Sequence, residues 1–253
     1  MTALLRRATL LATGAVLIAA EGMASVPNAA NSTQPTPRVI RIGGRSVVPH
    51  TGIQSHGGPD ITGVMTYTIR DGTAGGGAPI ENCPVTLNFS GCDDVRLCRN
   101  SADCPAFQEP GPNPPYDEPG CVDCPASTVT GFTNASGQVT FVISGGSVGG
   151  SGTGVEVGAC VTVRAGTPPN DVALDPLTAA TADYDNLNGV DGIDKGIFQA
   201  DLYATSYFAR SDFDGSGAPV DGIDQGIWQS FLYSTFSTGS CEDPVTAGFT
   251  LCP

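Results

Sequence analysis

Two clusters of oxygen-bearing side chains in the last third of the chain have the spacing of metal-binding loops. The first consists of Asp183, Asp185, Asn188, Asp191 and Asp194, and the second of Asp212, Asp214, Ser216, Asp221 and Asp224. Oxygens at alternate positions of a tight loop converge on one point, and a carboxylate that opens the following helix closes the cage. Calcium prefers about six to eight oxygen ligands at roughly 2.3–2.6 Å. Each cluster therefore predicts one calcium site.

A cation is favoured because carboxylates held this close together repel one another unless a positive charge neutralises them. Magnesium fits less well, since it keeps several of its water ligands and demands a strict octahedral arrangement. The alternative is a solvated acidic turn without an ion. The occurrence of the same pattern twice favours a pair of calcium sites.

The two clusters belong to an internal repeat. Residues 190–203 recur as residues 220–233, thirty residues later, and ten of the fourteen positions are identical. In each copy an acidic loop precedes a predicted helix. The apolar stripes of these helices are Ile197, Phe198 and Leu202 in the first copy and Ile227, Trp228 and Leu232 in the second. Each stripe is too small to form a core alone, so the two helices are expected to pack face to face.

Residues 183–236, about a fifth of the chain, resemble the type I dockerin module, a pair of EF-hand-like loop–helix repeats that bind calcium. In the first loop the family's first, third, eighth, ninth and twelfth positions are Asp183, Asp185, Val190, Asp191 and Asp194. In the second loop the first, third, fifth and sixth positions are Asp212, Asp214, Ser216 and Gly217. The resemblance implies a small α-helical module that holds two calcium ions.

Both loops depart from the family pattern. Leu187 lies where the first loop should present an oxygen, and Asn188 follows one place late. The second loop carries one extra residue around Ala218 and Pro219. Either each loop puckers to compensate, or one of the two calcium sites is weak.

The dockerin resemblance also implies attachment, since dockerins bind cohesin domains and fix their owner to a scaffold or a cell surface. The recognition positions lie just before the last aspartate of each loop, and here they are Gly192, Ile193, Gly222 and Ile223. Cohesin-binding dockerins often carry small hydroxyl residues there, so this dipeptide departs from the pattern. Its repetition fits a pseudo-symmetric binding face. The alternative is that both isoleucines are core residues and that calcium is purely structural.

Residues 38–166 have the pattern of a β-domain. Apolar and polar residues alternate, as at 64–69 and 84–89, between clusters of turn residues. This predicts an antiparallel β-sandwich, and the strand–turn–strand segment 128–141 loosely resembles bacterial immunoglobulin-like modules. A Pro- and Cys-rich insertion, 99–125, interrupts the domain and is expected to be stapled by disulfides.

The remaining segments complete the predicted organisation. They are a signal peptide at 1–24, a flexible leader at 25–37, a linker at 167–181, the dockerin-like module at 182–237 and a C-terminal disulfide loop at 238–253. The first segment has arginines before a short apolar run and small residues at the cleavage positions, as secretory signals do. The run is too short to span a membrane, so we expect the mature protein to be secreted and not transmembrane.

Nine cysteines fit an exported protein with disulfide bonds. Cys241 and Cys252 close a short C-terminal loop and are expected to pair. The odd number leaves at least one thiol free or paired between chains. Zinc at Cys121 and Cys124 is the alternative, but no second such pair and no nearby histidine accompanies them.

Composition and motifs argue against several functions. The net charge of −14 argues against nucleic-acid binding, which needs a basic face. No Gly-x-Ser-x-Gly elbow occurs, and the two histidines, His50 and His56, lie in a segment rich in turn residues. No carboxylate pair of the β-domain is singled out by an apolar setting. We therefore expect a non-catalytic protein.

The sequence predicts a secreted calcium-binding protein whose dockerin-like tail attaches it to a cohesin-like partner or an envelope component. One alternative is a structural surface protein in which calcium only stiffens the tail. Another is an accessory protein of polysaccharide degradation whose sandwich binds carbohydrate.

Overall fold

The computed structural model describes residues 25–42, 65–92, 95–97, 121–123, 126–141, 143, 145–147 and 158–232. Within these ranges the strands are β1 (Val39–Ile42), β2 (Met65–Thr68), β3 (Pro84–Asn88), β4 (Val95–Leu97), β5 (Cys121–Asp123), β6 (Thr128–Phe132), β7 (Gln138–Phe141), β8 (Gly145–Ser147), β9 (Val161–Ala165) and β10 (Val172–Thr181). The helices are α1 (Gly192–Tyr203) and α2 (Gly222–Leu232), with a 3₁₀ turn, Ala209–Ser211, between them. The described fold is mainly β, as the alternating pattern predicted.

The largest sheet has six strands in the order β1–β10–β9–β3–β6–β5. Its neighbours are antiparallel except for β1 and β10, which run parallel. Strands β2 and β7 form a separate antiparallel pair, as do β4 and β8. One hydrophobic core joins all three sheets, because alternate residues of most strands are buried. The immunoglobulin-like arrangement of these strands stays a prediction.

The predicted linker at 167–181 is wrong, since most of it is strand β10. This strand pairs with β9 on one side and β1 on the other. Its alternating pattern is hidden in the sequence by Pro176, near which the register to β9 shifts between Leu174 and Leu177. Beyond Leu177 the buried residues of the strand are Ala179, Ala180 and Thr181, so this part lacks the large apolar residues that would indicate a strand.

The leader at 25–37 is also more ordered than predicted. The Asn28 amide donates to the Arg70 carbonyl at 2.8 Å, and Thr33 exchanges two backbone hydrogen bonds with Thr68. The Asn28 side chain accepts from the Ala30 amide at 3.0 Å, which holds a local turn. The segment is therefore bound at the end of β2 and beside the residues that follow it, whose backbone groups it satisfies.

A second hydrophobic core joins the strands to the helices. Val39 and Ala180 of the large sheet pack in it with Phe198 of α1 and Trp228 of α2. The Trp228 indole N–H donates to the Ala182 carbonyl at 3.3 Å. The two helices thus share a core, as predicted, but the sheet is part of that core too.

The described cysteines include one disulfide, between Cys92 and Cys160. Cys83 is buried without a disulfide, and burial raises the pKa of its thiol to about 11. The predicted signal peptide, most of the 99–125 insertion and the predicted Cys241–Cys252 pair lie outside the described residues. In the part of the chain that the structure describes, no helix is long and apolar enough to cross a membrane.

Candidate metal centre

The first acidic loop begins where β10 ends. Asp183 and Asp185 follow the strand, and Asp194 lies in the first turn of α1. One carboxylate oxygen from each of these three residues lies within 4.8 Å of those of the other two. The fold therefore brings together the predicted ligands at the first, third and twelfth positions of the loop.

Asp194 organises this loop through its own hydrogen bonds. One carboxylate oxygen accepts from the Tyr184 amide at 2.6 Å, and the other accepts from the Asp191 amide at 2.8 Å. Asp191 in turn accepts from the Ile193 amide at 2.7 Å, which completes a capping box at the start of α1. The aspartates of the sequence repeat thus fix the loop to the helix.

Asp183 is the least satisfied residue of the site. Its side chain is fully buried, and neither carboxylate oxygen has a hydrogen-bond partner among the described residues. Burial, with repulsion from Asp194 and Asp185, raises its pKa to about 8. A buried carboxylate without a partner is costly, and a bound cation is one way to remove that cost.

The second loop repeats the arrangement. Asp212, Asp214 and Asp224 bring three carboxylate oxygens within 4.8 Å of one another. Asp224 accepts from the Asp214 amide and, through its other oxygen, from the Asp221 amide, each at 3.0 Å. Asp221 accepts from the Ile223 amide at 2.7 Å, as Asp191 does in the first loop.

The first aspartate of the second loop differs sharply from Asp183. One oxygen of Asp212 accepts from the Ser216 amide at 3.0 Å. The other accepts from the Gly217 amide at 3.0 Å and from the Tyr207 hydroxyl at 2.9 Å. Asp212, the first predicted ligand of the second loop, is therefore held in place by two loop amides and by Tyr207.

Four of the predicted ligands lie outside the two triads. Asp191 and Asp221 use a carboxylate oxygen to cap their helices. Asn188 is exposed, and the Ser216 hydroxyl accepts from the Ala218 amide at 3.2 Å. A role of these four residues as calcium ligands stays a prediction.

The predicted recognition residues lie on the surface. The side chains of Ile193 and Ile223 are 57% and 60% exposed, so the alternative that they are core residues is wrong. Phe198 and Trp228 occupy the core instead, with their rings stacked at 5.0 Å. Gly192 and Gly222 begin the two helices beside the exposed isoleucines.

A buried network that the sequence did not reveal connects the two loops. Arg210 binds both carboxylate oxygens of Asp201 at 2.8 Å. The Ser211 hydroxyl donates to Asp201 at 2.7 Å and lies 2.7 Å from the Tyr184 hydroxyl, which therefore donates to it. Tyr184 lies between Asp183 and Asp185 of the first loop. Ser211 directly precedes Asp212, the first residue of the second loop. No repeated pattern marks these residues, because the network occurs once.

No protein-family model matches the chain, and neither a curated protein nor a solved structure matches it. The dockerin-like and immunoglobulin-like assignments therefore depend on the residues themselves.

Proposed function

We propose that this is an exported, non-catalytic protein whose tail binds two calcium ions and attaches it to a cohesin-like domain or an envelope component. The observation that carries the proposal is the pair of acidic triads, each organised by the same hydrogen bonds around its last aspartate. The atoms that each triad offers to a metal ion are all carboxylate oxygens. Such oxygens suit a hard cation such as calcium better than zinc or copper.

The exposed isoleucines support a partner-binding face. Ile193 and Ile223 lie at equivalent positions of the two repeats, each directly before the aspartate that closes its loop. Single exposed apolar residues are common on protein surfaces. Their repetition at equivalent positions is what favours a surface that a partner covers.

A structural role for calcium is the second candidate. The helices share a core with β1 and β10, so ordering the loops would also stabilise the sheet against which they pack. In that case calcium would matter for stability, and the two isoleucines would have no partner.

Calcium binding is tested by titrating the full mature chain, stripped with chelator, in a calorimeter. We expect two bound ions, and Asp194→Asn or Asp224→Asn should each remove one. Glu81→Gln, which removes an exposed carboxylate outside the loops, is the control and should leave both ions bound. A wild-type chain that binds no calcium would contradict the proposed function.

Attachment is tested with a panel of purified cohesin domains and with isolated cell envelopes, each with calcium and with chelator. Ile193→Asp together with Ile223→Asp should reduce calcium-dependent binding at least tenfold, because the charges would be buried in the interface. Val26→Asp alters another exposed apolar residue, 47% exposed and in the leader, and should have no effect. If the chain binds calcium normally but binds no cohesin domain and no cell envelope, attachment is excluded and the structural role of calcium remains.

A further inference from the structure

In the described structure, most buried side-chain polar atoms without hydrogen-bond partners belong to β8, the end of β10 and the first loop. Besides the Tyr67 hydroxyl, they belong to Ser147, Thr181, Asp183 and Asn186. All four residues are at most 3% exposed. Buried polar groups are nearly always paired, so this concentration points to a ligand that satisfies them together.

The four residues come from β8, the end of β10 and the first loop, and the backbone of β8 contacts this loop. The Ser147 amide of β8 donates to the Asp183 carbonyl at 2.8 Å. A Cβ atom on the neighbouring Gly146 would lie 2.7 Å from the Asn186 amide oxygen and 3.1 Å from the Asp183 carbonyl. Thr181 ends β10, two residues before Asp183. Strand β8 is therefore in close contact with the loop.

The chemistry of these side chains fits a hard cation. They offer five oxygens and one amide nitrogen, and calcium binds hydroxyl, amide and carboxylate oxygens. The first loop needs additional donors because Leu187, which is half-exposed, has no side-chain oxygen. The second loop shows no such cluster among the described residues, and its Asp212 is already bound by three donors.

We infer that the first cation is held jointly by the tail and the β-domain, with Asn186, Ser147 and Thr181 as ligands of the ion or of its water shell. The inference rests on the proposed calcium function. The two ions then have different roles. The first connects β8 to the end of β10, and the second stabilises only the second loop. Asn186 replaces Asn188 as the amide ligand.

Two asparagines of the first loop provide a matched test. Asn186 and Asn188 both have left-handed backbone conformations, with φ of 55° and 61°, but Asn186 is buried and Asn188 is exposed. Glycine tolerates this conformation at either position. In calorimetric titrations of the full chain with calcium, Asn186→Gly should weaken one of the two sites about 10-fold or more. Asn188→Gly should leave both affinities unchanged.

The contribution of the β-domain is tested with Ser147→Ala and hydrogen exchange. The variant keeps the Ser147 amide, so its bond to Asp183 remains, and it should weaken the same site as Asn186→Gly. In the wild type, calcium should slow exchange of the Gly146 and Ser147 amides at least tenfold. An unchanged affinity of the second site shows that each variant is folded.

The outcomes separate this inference from the proposed function. A wild-type chain that binds no calcium overturns both. Two bound ions with affinities that neither Asn186→Gly nor Ser147→Ala alters, and with no protection of β8, overturn the shared site alone. Loss of affinity in Asn188→Gly but not in Asn186→Gly would restore Asn188 as the amide ligand and also overturn it.

Discussion

At the scale of residues, Asp183 and Asp212 illustrate two ways of placing a carboxylate in an acidic loop that could hold a metal ion. Asp183 is buried without a hydrogen-bond partner among the described residues, whereas Asp212 accepts from two backbone amides and a tyrosine hydroxyl. A hydrogen-bonded carboxylate is stabilised in its charged form, and an unpaired buried one is destabilised. The first loop should therefore depend on its ion for stability more than the second.

Asparagine substitutions at these two positions should have opposite effects on the metal-free protein. In chelator, Asp183→Asn should raise the free energy of unfolding by roughly 1–3 kcal/mol, because it removes a buried unpaired carboxylate. Asp212→Asn should lower it, because an amide cannot accept all three hydrogen bonds. Thermal unfolding followed by circular dichroism measures both. In saturating calcium both variants should be less stable than the wild type. A metal-free Asp183→Asn protein less stable than the wild type would show that its carboxylate is satisfied.

At the scale of elements, the sequence is most informative where a pattern repeats. Helices α1 and α2 begin at Gly192 and Gly222 because Asp191 and Asp221 are capping residues in both copies. Strand β10 escaped prediction, since Pro176 and small residues mask its alternation. Whether such a segment is a linker or a strand depends on its pairing with β9 and with β1, and β1 is distant in sequence.

The candidate site, like the secondary structure, was predictable only in part from the sequence. Spacing alone located the two triads, because the aspartates of each loop are close in sequence. It indicated Asn188 and not Asn186, on the other side of Leu187, although Asn186 is the buried one of the two. The close packing around Asn186 depends on Gly146, forty residues earlier, whose missing side chain lets β8 approach it. Contacts of this range leave no periodic signal in the sequence.

At the scale of the whole molecule, the helices and the β-domain are joined more closely than a tail on a linker would be. Strand β10 runs through the large sheet and leads directly into the first loop. The Arg41 side chain of β1 donates to the Phe213 carbonyl of the second loop at 2.8 Å. Together with the shared core, these contacts make the loops part of one cooperative unit.

One cooperative unit should unfold in a single transition, and Trp228 can report it. It is the only tryptophan of the chain, and it is buried in the core that the helices share with the sheet. Its fluorescence and the far-ultraviolet circular dichroism should therefore give the same Tm, with and without calcium. Free calcium at 100 times the Kd should add about 2.7 kcal/mol for each occupied site, and both signals should shift upward together.

Trp228→Phe provides the control for this measurement, since it should remove the fluorescence signal and keep a calcium-dependent circular dichroism transition. If the fluorescence transition came at a clearly lower temperature, the helices would unfold as a separate module. If calcium shifted only the fluorescence transition, the ions would stabilise the tail alone. Coincident shifts are expected because Asp183 continues β10, so an ion bound there holds the end of a strand that crosses the main sheet.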